Sequence, residues 1–203
     1  MSDRRIKYTK MVLKESLLKL MADRPIGKIT IKEICELADV NRGTFYAYYN
    51  DQYDLLKQIQ DEFATEVKEL LDKRQSKAMD SLQMITELIN YFMDQRSLCK
   101  ILFNIKGDLE FINKLMYNAY GISVDGWEAK SEKLTEKQRG MLYAFVSNGA
   151  AAIIQYWTMD DMQEPPQEVA KFILQATNYG TSSFLEQSLK ILHEDLQEIS
   201  ASR

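Results

Sequence analysis

Several residue types are scarce in this chain, and each shortage removes a class of protein. Glycine and proline number only 8 and 3 in 203 residues, too few for the many turns of an all-β fold. Histidine occurs once, at His193, and cysteine twice, at Cys35 and Cys99. There is no Cys/His cluster, no glycine-rich phosphate loop and no paired nucleophile and base. The sequence therefore offers no catalytic residue, no metal ligand and no cofactor site, and predicts a non-enzyme. Cys35 and Cys99 fall within helical patterns and read as small core residues, which fits a reducing cytoplasm. No apolar run approaches the ~18 residues of a membrane span, and no apolar signal core follows the opening Met-Ser-Asp-Arg-Arg-Ile-Lys. The expectation is a cytoplasmic protein with no membrane partner.

What is plentiful is apolar and charged material, 45% and 28% of the chain. The net charge of −4 argues by itself against a nucleic-acid binder, but its distribution does not. Residues 1–60 carry 11 Lys+Arg against 8 Asp+Glu, and residues 61–203 carry 15 against 22. At the front, Arg4, Arg5, Lys7, Lys10 and Lys14 face only Asp3. Such a basic arm ahead of an acidic body can track phosphates, or simply keep a flexible tail soluble.

Residues 29–56 are the most informative stretch. They read as two short helices joined by a tight turn. The first is apolar at Ile31, Ile34, Cys35 and Ala38, and Thr30 with Glu33 has the spacing of a capping box. Asp39-Val40-Asn41 forms the turn, and Asn41 suits the N-cap of the next helix. That helix has a thin apolar face, Phe45 and Tyr49. Its other face is Gly43, Thr44, Ala47 and Tyr48, with Arg42 at the tip. Small residues let a helix lie close against another molecule, and Arg at the tip suits a DNA major groove.

The rest of the chain predicts helices nearly throughout, about nine in all. Thr9 begins a first helix to about residue 22, with Leu13, Leu17, Leu20 and Met21 inward, and Pro25-Ile26-Gly27 breaks it. Asp51 caps a longer helix carrying Leu55, Leu56, Ile59, Phe63, Val67, Leu70 and Leu71 at 3–4 spacing. Residues 72–77 are polar and suit a hinge. Helical patterns follow at 79–96, 98–105 and 109–120, and 121–133 is the least regular stretch. Thr135 with Gln138 makes a second capping box, starting a helix to about residue 157. Residues 159–164 form a loop, and Pro165-Pro166 opens a last helix reaching about residue 199.

From Thr9 to Leu56 the sequence resembles, without gaps, the TetR/AcrR family of bacterial transcription regulators. Asn41-Arg42-Gly43-Thr44-Phe45-Tyr46, followed by Tyr49, Asp51 and Tyr53-Asp54-Leu55-Leu56, carries the likeness most specifically. The resemblance implies an all-α fold: a three-helix, helix-turn-helix DNA-binding domain at 1–52 and an effector-binding, dimerising helical domain at 53–203. The last two helices of the family usually form a four-helix bundle with those of a second subunit. This chain departs from the pattern in three places. Asp39 stands where the turn often has Gly, and Asp visits the left-handed region readily. Tyr48 stands where His is frequent, and Gln52 where Lys is common at the start of the fourth helix, which removes a phosphate charge.

Candidate site residues can then be assigned. Arg42 is given to a base edge or phosphate, Thr44 to a base or thymine methyl, and Tyr46 and Tyr48 to phosphates. Thr30 and Asn41 are caps that can also touch DNA, and Gly43 allows the close approach. For the dimer interface, small residues at 147–152 and 180–183 permit close helix packing. Phe145, Gly149, Ile153, Phe172, Ile173, Gly180 and Phe184 are assigned there, with tight packing inside one subunit as the plainer alternative. Tyr91, Phe92, Phe103, Met116, Tyr117, Tyr120 and Tyr156 suit an adaptable effector pocket, although such residues at helical spacing also make ordinary core. The function expected is a homodimeric regulator of a palindromic double-stranded operator, a repressor released by an unidentified small-molecule effector. The alternative is an effector-independent or architectural DNA-binding protein of the same fold.

Overall fold

The structure, a computed structural model, describes residues 3–75, 80–103, 111–116 and 134–182. Among the described residues every regular element is helical. In chain order these are α1 (Asp3–Asp23), a 3-10 turn (Ile26–Lys28), α2 (Ile31–Leu37), α3 (Arg42–Tyr46), α4 (Gln52–Gln75), α5 (Ser81–Asp94) and α6 (Arg96–Leu102). They are followed by α7, described at 111–116, α8 (Glu136–Met159) and α9, described at 166–182. The all-α class expected from the sequence is the class observed.

By contacts the chain divides into two compact units, Met1–Glu69 with Gln95–Ile112, and Leu70–Asp94 with Asn113–Arg203. In the first, α1 packs on α2, α2 on α3, and α6 returns to α1. The core is built from the stripes that the sequence spacing sets out. Leu13 and Leu17 of α1, Ile34 and Cys35 of α2, Phe45 of α3, and Leu55, Ile59 and Phe63 of α4 are all buried. Phe63 meets the rings of Phe103 and Phe111 at 5.8 and 6.2 Å. Cys35 and Cys99 are buried free thiols, and burial pushes both thiols up from their ordinary range.

Helix ends depart from expectation where local propensity outruns the cap. α1 begins at Asp3, not at Thr9. Nothing in residues 3–8 breaks a helix, so it propagates. Thr9 is then an interior residue whose hydroxyl donates to the Arg5 carbonyl at 2.9 Å, the usual resort of a mid-helix Thr. The basic residues expected on a flexible arm are therefore carried on a helix. α4 likewise continues through residues 72–75 of the expected hinge, because Lys, Arg and Gln favour helix. α3 stops at Tyr46 with Ala47 as its C-cap. Beyond it the chain turns into the cap of α4, where the Asp54 N–H donates to Asp51 Oδ1 at 2.8 Å and the Asn50 N–H donates to Asp54 Oδ2 at 2.9 Å.

In the second unit, α8 starts at the Thr135–Gln138 capping box, with both reciprocal bonds present. The turn to α9 needs two left-handed residues, Asp161 at φ 63° and Met162 at φ 51°. Met162 is buried, and the Trp157 indole N–H donates to the Glu164 carbonyl at 2.9 Å, pinning the turn. Pro165 and Pro166 then open α9, where missing N–H groups cost nothing.

Candidate nucleic-acid interface

The helix-turn-helix is assembled by two side-chain caps and one left-handed residue. The Thr30 hydroxyl accepts the Glu33 N–H at 3.3 Å and donates to Glu33 Oε2 at 2.7 Å, while the Thr30 N–H donates to the same oxygen at 2.9 Å. Arg24 donates to the other carboxylate oxygen at 2.6 Å. The bonds from Thr30, then that from Arg24, hold the Glu33 carboxyl down at about 2. In the turn, Asp39 takes φ 52°, the conformation for which Asp substitutes for Gly.

Asn41 caps α3. Its Oδ1 accepts both the Thr44 N–H, at 2.7 Å, and the Thr44 hydroxyl, at 3.1 Å. A Cβ at Gly43 would stand 3.2 Å from that same oxygen, so glycine here also leaves the cap uncrowded. With the cap oxygen doubly engaged, the outward surface of α3 is Arg42, Gly43, Tyr46 and Ala47, all exposed. Tyr46 is 58% exposed although its ring edge meets Phe45 at 5.7 Å. Phe45 and Tyr49 face inward and are buried. Tyr48, in the turn after α3, is half-buried, and the Lys10 ammonium lies 5.7 Å from its ring centroid. Thr44 is half-buried and Thr30 exposed, each with its hydroxyl proton engaged in a cap.

Residues 15–59 match the model of "Bacterial regulatory proteins, tetR family", and residues 79–179 match a "Transcriptional regulator C-terminal region" of the same family. This chain belongs to the TetR family. Among its TetR-type relatives is the uncharacterized HTH-type transcriptional regulator YxbF of Bacillus subtilis (strain 168). It is 27% identical over an alignment of 168 positions that covers 78% of this chain and 42% of that protein. The chain thus spans less than half the length of that curated relative. Among solved structures, a TetR transcriptional regulator from Streptococcus agalactiae 2603V superposes with a TM-score of 0.65 at 18% identity, covering 86% of this chain and 96% of that one. The regulator FadR from Bacillus subtilis, solved in complex with stearoyl-CoA, gives 0.63 at 15% identity, covering 82% and 96%. At these identities the likeness is one of fold.

The remaining predicted site residues of this TetR-family chain fall in several places. Phe92 and Met116 are buried in the second unit and Tyr91 is half-buried there, whereas Phe103 is buried in the first unit beside Phe63. Tyr156 is 73% exposed, on the outer face of α8 and not in an interior. Tyr117, Tyr120 and Phe184 lie outside the described residues. Phe145 and Phe172 are exposed, Gly149 has open space at its Cα, and Ile153 is half-buried. Ile173 turns into the core of its own unit. A Cβ at Gly180 would stand 3.1 Å from the Phe145 ring, so the smallness of Gly180 serves a contact within one chain.

One surface of the second unit is reached by sequence reasoning only in part, through Phe145 and Phe172. Met141, Phe145, Tyr156 and Met159 of α8, and Phe172 and Tyr179 of α9, are all large, apolar and exposed. Two of them, Tyr156 and Phe172, line a cleft of about 440 Å³ between α8 and α9, together with Ile153, Trp157, Glu168 and Lys171. The helical spacing of Met141, Phe145 and Tyr156 is a signal for this face, but the apolar positions on α8 surround the helix, and spacing alone does not say which side is covered.

Proposed function

We propose that this chain is a homodimeric, sequence-specific DNA-binding transcription regulator, acting in the cytoplasm as a repressor that a small-molecule effector releases. The observation that carries the reading is the capped α3 with Arg42, Gly43, Tyr46 and Ala47 facing outward. A short rigid helix with a small-residue surface enters a major groove, and Arg42 at its tip reaches a base edge or phosphate. Thr44, Tyr46 and Tyr48 flank it, and the caps Thr30 and Asn41 sit at the two helix starts that approach the phosphate backbone. Residues 1–52 read DNA on this view, and residues 53–203 bind the effector and dimerise.

The exposed apolar face of α8 and α9 supports dimerisation, since a patch of that kind on a monomer marks an interaction surface. A two-fold dimer presents two α3 helices to half-sites of a palindrome. Release follows by population shift: the effector binds the conformation whose α3 spacing does not fit the half-sites. The stearoyl-CoA held by a regulator of the same fold makes acyl thioesters the first ligand class to screen.

The test is selection of bound duplexes from a random pool, followed by gel shift. Arg42→Ala is expected to lose about 1–3 kcal/mol of binding to the selected duplex. Undiminished binding by this variant overturns the assignment of Arg42, and failure of the wild type to select any sequence overturns the function.

A further inference from the structure

The helix-turn-helix is short of positive charge. Residues 29–56 contain two basic side chains, Lys32 and Arg42, against five acidic ones, Glu33, Glu36, Asp39, Asp51 and Asp54. Lys32 is exposed but lies 3.7 Å from the Glu36 carboxylate, so Arg42 is the motif's one cation with no carboxylate partner among the described residues. Gln52, at the start of α4, is neutral. A surface that binds the phosphate backbone of a duplex needs several cations, because counterion release drives most of the affinity. The missing charge has to come from outside the motif.

α1 carries several cations, and one of them lies directly against the motif. Lys14 is paired with Glu62. Lys10, one turn earlier, has no carboxylate partner among the described residues. Its ammonium instead lies over the ring of Tyr48, 5.7 Å from the centroid. A cation on a ring face is held without being neutralised, and the N–H groups pointing away from the ring remain free to donate. The ring is itself fixed, because it stands edge-on to buried Tyr49 at 6.4 Å. An ammonium is thus presented on the Tyr48 ring where the chain leaves α3.

We propose that Lys10, stacked on Tyr48, is a phosphate-binding residue of the DNA interface, supplied by α1 to a helix-turn-helix that is itself acidic. The inference rests on the DNA-binding reading above. Tyr48 is the positioning residue and Lys10 the contact.

The test uses the full chain and a duplex it has selected from a random pool, with affinity measured against KCl concentration. Lys10→Gln should flatten the slope of log affinity against log salt by about two units per dimer, one contact per subunit. Lys10→Arg should retain it. Tyr48→Phe should keep the slope, since the ring remains, and Tyr48→Leu should flatten it part of the way. In the Tyr48→Leu background, Lys10→Gln should cost less than in the wild type. Unfolding midpoints of the variants, measured alongside, show that a flattened slope is not loss of fold. A wild-type slope for Lys10→Gln, with binding still lost in Arg42→Ala, overturns the role of Lys10 and leaves the DNA-binding reading intact. A wild type that binds no duplex overturns both.

Discussion

Tyr49 carries a cost that phenylalanine would not. Its ring fills the core between Phe45 and Tyr48, yet its hydroxyl is buried with no hydrogen-bond partner among the described residues. Burial, with Glu62 and Asp54 nearby, pushes the phenol up to about 12, so it stays neutral and simply unpaired. A buried unpaired hydroxyl destabilises by about 1–3 kcal/mol, part of which its own packing offsets. Tyr49→Phe is expected to raise stability by about 1 kcal/mol, read as a rise of about 2–4 °C in the unfolding midpoint. A lower midpoint would show that the hydroxyl has a partner. At this scale the sequence is ambiguous in a physical way. That Tyr49 points inward follows from its spacing to Phe45, but whether its oxygen meets a donor depends on neighbours distant in the chain.

At the scale of elements, the helix starts were legible because a cap is a local object. Thr30 with Glu33, and Thr135 with Gln138, close reciprocal bonds within four residues, and Asn41 and Asp51 cap α3 and α4 by accepting the N–H three residues on. The start of α1 and the end of α3 were less legible, since both depend on competing backbone propensities and not on a single side-chain bond. Asp39 shows the local logic most plainly. The turn demands φ 52°, where a Cβ meets the following carbonyl and glycine is unstrained. Asp39→Gly is expected to stabilise the fold by about 0.5–1 kcal/mol, the strain relieved exceeding the entropy added to the unfolded chain. A higher urea midpoint at unchanged m value is the measurement, and a lower midpoint would mean that the carboxylate itself holds the turn.

At the scale of the whole molecule, the exposed apolar face on α8 and α9 is the feature with the largest consequence. Replacing Phe172, 60% exposed, by Glu puts like charges into any two-fold interface built on this face. Phe172→Glu is expected to convert a dimer at micromolar concentration to monomer by sedimentation, with helicity unchanged because the side chain is not part of its own unit's core. A dimer that persists in this variant would place the interface elsewhere, and a wild type that sediments as a stable monomer would remove the dimer altogether.

Sequence alone determined the all-α class, the order of the helices, the helix-turn-helix and its caps, and the inward stripes of α1, α2 and α4. All of these arise from periodicity and from hydrogen bonds between near neighbours. Tertiary structure alone decided what faces outward. It set Tyr156 on an exposed face while burying Ile173, and it used the smallness of Gly180 to seat Phe145 of the same chain. It also brought Lys10 across to Tyr48, 38 residues away in sequence. The reason is physical: an apolar or small residue at helical spacing is equally suited to a core or to an interface, and only the packing of distant helices decides which side water still reaches.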